Sequence, residues 1–310
     1  MKKFAKLPVP ILPTMVGACT LSNVLQGLGY TWIRHITMLA ATLILLAYLV
    51  KILFHFDTCK KEYANTVPAS LYAGFTMVLM ILGSYYFDFH AGIGKAMWLV
   101  GVILHVCHII VFTLRNVLKG IKWDTFVPSW FVTYNGLMVS TVVGGVMKEP
   151  LISKVVVFYG IAVFTLIIPF MIYRLLKYPI KDAMYHTQAI VLAPSSLCVV
   201  SYLNVIENPN PFILCYLYTA VLLALLFIII KLPSFFSFSF TPGYAGLTFP
   251  MAIGIVATTK FSAWLTAQGM DSAAEVLKQV SGIQIYLTTA IIGYVLLQFV
   301  ILLKKSLRSA

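Results

Sequence analysis

The chain alternates long apolar runs with short polar breaks. Ten apolar stretches can be placed, at approximately 8–27, 33–54, 66–87, 93–114, 126–147, 151–173, 187–206, 212–231, 243–264 and 281–303. Each is close to the ~20 apolar residues that an α-helix needs to cross a hydrocarbon core. Little chain is left between them, so the connections are short. The pattern predicts an all-α integral membrane protein with ten transmembrane helices in a single transmembrane domain, 1–310. No separate soluble domain, nucleotide fold or zinc module can be fitted in.

Composition agrees: 61% of residues are hydrophobic, 10% are charged, and the mean hydropathy is +0.95. These values lie far from those of a soluble globular domain. Charge then sets orientation, because Lys and Arg accumulate on the cytoplasmic side of short loops. With the N-terminus inside, one side holds Lys2, Lys3, Lys6, Lys51, Lys60, Lys61, Arg115, Lys119, Lys122, Arg174, Lys177, Lys181, Lys231, Lys304, Lys305 and Arg308. The other holds only Arg34, Lys95, Lys148, Lys154, Lys260 and Lys278. The bias predicts a multi-pass protein of the cell membrane with both termini cytoplasmic. It also accounts for the net charge of +13 through topology and attraction to the lipid bilayer, so no nucleic-acid partner is needed.

Prolines recur along the odd spans. Pro13, Pro68, Pro128, Pro194 and Pro250 are separated by 55, 60, 66 and 56 residues. The spacing suggests five helical hairpins, approximately 1–60, 61–120, 121–182, 183–235 and 236–310, each a proline-bearing odd helix followed by a more regular even one. Chance placement among 14 prolines is the alternative. In a membrane, irregular backbone is tolerated where protein or a wet cavity covers it. The odd helices are therefore expected to form an inner ring around a central pore, with the even helices outside. Within "GYAGLTFPMAIGIVATTK", Pro250 is expected to kink its helix, leaving the Gly246 carbonyl without its helical partner.

All nine acidic residues, Asp57, Glu62, Asp88, Asp124, Glu149, Asp182, Glu207, Asp271 and Glu275, fall at span ends or in loops. Cation channels usually display carboxylate rings, and proton-coupled carriers usually bury a titratable group. A lumen of Thr, Ser and Asn with positive mouths favours anions instead. Candidate pore-lining groups are Thr14, Thr76, Thr133, Asn135, Ser195, Ser196 and Thr248; for each, bonding back to its own helix or a neighbour is an equal alternative.

The segment "YAGLTFPMAIGIVATTK" resembles the ninth helix of the tellurite-resistance and dicarboxylate transporter family, which includes the plant slow-type guard-cell anion channels. "IVLAPSSLCVVSYL" around Pro194 is similar to the family's seventh helix, and "ILPTMVGACTLSN" to its first. The resemblance covers essentially the whole chain. It implies ten helices in five hairpins, a pore through each protomer of a homotrimer, and a gate formed by Phe249. Lys260 would attract anions at the external mouth. Pro13, Pro194 and Pro250 stand where the family bends its inner helices; Pro68 and Pro128 lie nearer the cytoplasmic mouth, with Thr76 and Thr133 at the depth where a bend is expected.

The remaining motifs carry less. His105 and His108 share a helix face, but no third ligand is nearby, so no metal site is expected. "MVGAC" ending at Cys19 faintly resembles a lipoprotein cleavage box, yet Pro8, Pro10 and Pro13 interrupt the would-be signal core, which reads as a retained helix. The five cysteines read as free thiols. With no cofactor motif and no catalytic constellation at membrane depth, an enzyme is disfavoured. The leading expectation is passive conduction of small anions such as chloride or nitrate. The alternatives are a C4-dicarboxylate carrier, proton-linked or not, and tellurite-resistance related export.

Overall fold

The computed structural model describes residues 3–308; Lys2 of the positive-inside set lies outside them. The described residues are helical, with no strand. In chain order the α-helices are α1 (Ile11–Gly27), α2 (Thr31–Phe54), α3 (Phe56–Tyr63), α4 (Thr66–Leu71), α5 (Ala73–Phe87), α6 (Ala91–Asn116), α7 (Trp130–Tyr134), α8 (Val139–Val143), α9 (Pro150–Lys177), α10 (Leu192–Val205), α11 (Pro211–Phe235), α12 (Thr248–Ala267) and α13 (Asp271–Arg308). Two 3₁₀ segments, Asp182–Val191 and Pro242–Leu247, run directly into α10 and α12.

Seven helical stretches among the described residues are long and apolar enough to cross a membrane: α2, α4 with α5, α6, α9, the 3₁₀ segment with α10, α11, and α13. This is a membrane protein of multiple spans. Three of the ten expected spans fall outside that set, for different reasons. Helix α1 has 17 residues. The fifth stretch is broken into α7, α8 and short 3₁₀ turns. Helix α12 is long enough but carries Thr258, Thr259, Lys260 and Ser262 in its second half.

Burial gives those exceptions a common cause. In α2, α6, α9 and α13 only 28% of the apolar window is covered by protein, against 61% for α4 with α5 and 83% for the 3₁₀ segment with α10. Helix α1 is buried without interruption from Ile11 to Ser22, and α12 from Thr248 to Ile255. Helices that face lipid must be uniformly apolar, whereas helices packed inside protein can be shorter, broken or more polar.

The buried elements touch one another in sequence: α1 packs on α5, α5 on α8, α8 on α10, α10 on α12, and α12 back on α1. Each of the less buried helices lies against buried neighbours, α2 on α1, α6 on α5, α11 on α10 and α13 on α12, while α9 lies on α8 and α10. The α1–α12 contact is close. A Cβ on Gly17 would sit 2.6 Å from the Phe249 backbone nitrogen and 2.7 Å from the Thr248 carbonyl carbon, so only glycine fits there. The two 3₁₀ segments also pack together, with Gly246 against the His186 carbonyl oxygen and the His186 ring 3.9 Å from that of Tyr244.

One loop is held by a buried cation. Arg174, 2% exposed near the end of α9, donates from Nε to the Trp123 carbonyl at 2.7 Å and from its guanidinium nitrogens to the Tyr178 and Pro179 carbonyls. It gathers the α6–α7 connection and the residues after α9 at one end of the molecule.

Candidate functional site: a cavity where the buried segments meet

The proline-bearing segments either begin or change helix type close to their prolines. Pro13, Pro68, Pro194 and Pro250 are each the third residue of an α-helix, of α1, α4, α10 and α12 respectively. The first four N–H groups of an α-helix have no partner within it, so the proline in α1 and in α4 loses no hydrogen bond. Pro128 lies two residues before α7. Pro13 thus stands at a helix start rather than at a mid-helix kink, whereas Pro194 and Pro250 stand just past the point where a 3₁₀ segment passes into an α-helix, with Gly246 in the 3₁₀ segment ahead of α12. The ten-residue 3₁₀ run Asp182–Val191 is unusually long for that geometry. The third and fifth stretches break elsewhere, at Tyr72 between α4 and α5 and at Asn135–Gly136 after α7.

A cavity of about 460 Å³ opens where these helix starts converge. Its wall takes residues from every proline-bearing stretch: Pro10 before and Pro13 within α1, Pro68 on α4, Val132 on α7, Thr187 on the 3₁₀ segment before α10, Gly246 on the 3₁₀ segment before α12, and Phe249 and Pro250 at the start of α12. Pro128 and Pro194 do not line it. Phe249 is 6% exposed. Its backbone is backed by Gly17, so its side chain is presented from a fixed helix start.

The polar residues singled out in the sequence are elsewhere, and none of the seven lines this cavity. Thr14 donates back to the Pro10 carbonyl at 2.9 Å, and Thr248 to the Ala245 carbonyl at 2.8 Å and the Pro13 carbonyl at 3.4 Å. The Asn135 amide donates to the Gly160 carbonyl at 2.9 Å. Ser195 bonds to the Leu192 carbonyl at 3.3 Å and lines an apolar cleft between α9 and α11. Ser196 is fully buried. Thr76 and Thr133 meet the histidines of α6: Thr76 Oγ1 is 2.6 Å from His105 Nδ1, the Thr133 carbonyl is 2.9 Å from His105 Nε2, and Thr133 Oγ1 is 3.1 Å from His108 Nε2. His108 Nδ1 lies 2.8 Å from the Tyr63 hydroxyl. The histidine pair therefore ties α6 to α3, α5 and α7. Lys260 is half-buried on α12, ten residues beyond Pro250 and away from the cavity.

The sequence reading missed the charged group that does reach the cavity. Glu62 lines it from α3. Its carboxylate accepts from Lys51 Nζ at 2.8 and 2.9 Å and from the Tyr72 hydroxyl at 2.5 Å. Lys51 is fully buried and also donates to the Leu7 carbonyl at 2.7 Å. The signal was faint because α3 is a polar eight-residue helix between two spans, and the partners of Glu62 come from two other segments.

The fold is that of a membrane protein of multiple spans with a cavity where the starts of its buried helices converge. The family model for voltage-dependent anion channels (SLAC1) matches residues 7–301. The chain belongs to that family, whose members are channels or transporters for small anions rather than enzymes. No curated protein matches the sequence.

Proposed function

We propose that this protein conducts small anions passively through a pore closed by the Phe249 side chain. In this reading ten segments cross the membrane, including α1, the broken α7–α8 stretch and α12, with both termini cytoplasmic. The buried odd segments form the inner ring, and the lipid-facing helices form the outer one. The observation that carries it is the position of Phe249: nearly buried, on a cavity wall built by all five proline-bearing stretches, at a helix start packed on α1. The wall around it is mostly apolar, and an apolar constriction blocks ions because it offers nothing to replace their hydration. Assembly as a homotrimer, with one pore per protomer, follows from the family resemblance.

One observation favours a second reading, a proton-linked carrier of C4 dicarboxylates: the Glu62 carboxylate faces the cavity. Recording from reconstituted protein with chloride, nitrate and malate separates the two. Currents that grow with concentration without saturating, and need no proton gradient, support the channel; saturating flux that collapses without a proton gradient supports the carrier.

A further inference from the structure

The Lys51–Glu62 pair is placed to do more than hold α3. Lys51 is fully buried, while the Glu62 side chain remains 25% exposed and opens onto the cavity. Among the described residues lining that cavity, Glu62 is the one titratable group. Its titratable and charged neighbours are Lys51 and Tyr48 on α2, Tyr72 between α4 and α5, and Cys59 and Tyr63 on its own helix. The Leu7 carbonyl completes the shell around Lys51 Nζ.

We propose that the Glu62 carboxylate is a proton-binding site on the anion path, and that a proton there and an anion in the cavity favour each other. The inference rests on the reading that this cavity lies on the path. With Glu62 ionised, its charge and that of Lys51 cancel. With Glu62 protonated, Lys51 keeps its hydrogen bonds to the Leu7 carbonyl and to a Glu62 oxygen, and the cluster carries one net positive charge beside the cavity. That charge attracts an anion, and a bound anion in turn favours the protonated carboxyl. Linkage makes the two effects equal. The proton comes from the aqueous solution on the cavity side and returns to it, so no other reactant is needed. Loss of the Glu62 charge leaves the buried Lys51 ammonium uncompensated, and an anion in the cavity supplies the missing counter-charge.

The test uses full-length protein with Phe249→Ala, so that gate and vestibule are read separately. Acidification on the cavity side is expected to raise the anion conductance of Phe249→Ala several-fold. Adding Glu62→Gln, which keeps the shape and an acceptor oxygen, is expected to raise conductance at neutral pH and abolish the acid response. Adding Lys51→Met together with Glu62→Gln removes both charges without stranding either, and is expected to leave conductance low and insensitive to pH. A channel that conducts with no acid response, or one that keeps its response in either Glu62 variant, overturns the proposal while leaving the Phe249 reading intact. If Phe249→Ala does not conduct, the Phe249 reading fails instead, and infrared difference spectroscopy still decides this one. A protonated-carboxyl band should appear on acidification, appear at higher pH when chloride is added, and be missing in Glu62→Gln; a band unaffected by that substitution or by chloride overturns it.

Discussion

Gly17 of α1 lies against the backbone nitrogen of Phe249 at the start of α12, where a Cβ would approach to 2.6 Å. Both neighbours of that contact are main chain, so neither can swing aside as a flexible side chain would. Gly17→Ala is therefore expected to push α1 and α12 apart, lower stability by about 1–3 kcal/mol as overpacking does, and change basal anion conductance. Gly27, at the end of the same helix, has no atom within 4 Å of its would-be Cβ. Gly27→Ala is the control and should leave melting temperature and conductance nearly unchanged. Equal effects at the two positions would mean that the α1–α12 contact does not set the position of Phe249.

Arg174 offers a test of how the loops are held. Its guanidinium serves three backbone carbonyls on two chain segments, a fork that a lysine ammonium does not reproduce. Arg174→Lys should destabilise the protein by about 1–3 kcal/mol, the usual range for leaving buried polar groups unpaired. It should also speed proteolytic cleavage at Lys119 and Lys122 in the α6–α7 connection. Wild-type melting and cleavage rates would show that the loops are docked by other contacts.

The lipid-facing half of the fold was the easier half to read. Helices α2, α6, α9 and α11 are left uncovered by protein along most of their length, and a hydrocarbon surrounding demands continuous apolar sequence, so hydropathy located them closely. The buried stretches obey a weaker rule. Their breaks at Tyr72 and Asn135–Gly136 carry no distinctive residue type, and a proline marks a helix start as readily as a kink. Pro13, Pro68 and Pro250 line the cavity, near where their helices begin. Of the polar candidates, Thr14, Thr76, Ser195 and Thr248 bond to a carbonyl three or four residues earlier, the alternative that the sequence had left open. Glu62 could be seen in the sequence, but its pairing with Lys51 across a turn could not.

Lys260 supplies a prediction about the far mouth. It stands about 15 Å beyond Pro250 along the axis of α12, at 1.5 Å per residue. A cation there raises the local anion concentration, an effect screened as ionic strength rises. Lys260→Gln should lower conductance by a factor of a few in dilute salt and have little effect in concentrated salt. The same conductance in dilute salt would reduce Lys260 to an anchor for the helix end.

Topology is checked independently of transport. Ten crossings with cytoplasmic termini require a reporter fused at the C-terminus to be cytoplasmic, and one inserted in the turn at Gly269, between α12 and α13, to be external. Reporters on the same side of the membrane would show that α13 does not cross.

The central claim is that the Phe249 side chain closes the anion path, and truncating it tests that claim most directly. Phe249→Ala removes the ring while leaving Pro250, Gly17 and the start of α12 as they are. In planar bilayers or patches containing purified protein, Phe249→Ala should raise basal chloride and nitrate conductance by a large factor, and Phe249→Leu, which keeps bulk without the ring, should fall between it and the parent. If Phe249→Ala assembles and melts like the parent yet conducts no more than the parent for any small anion, Phe249 is a packing residue and the account of the gate is wrong.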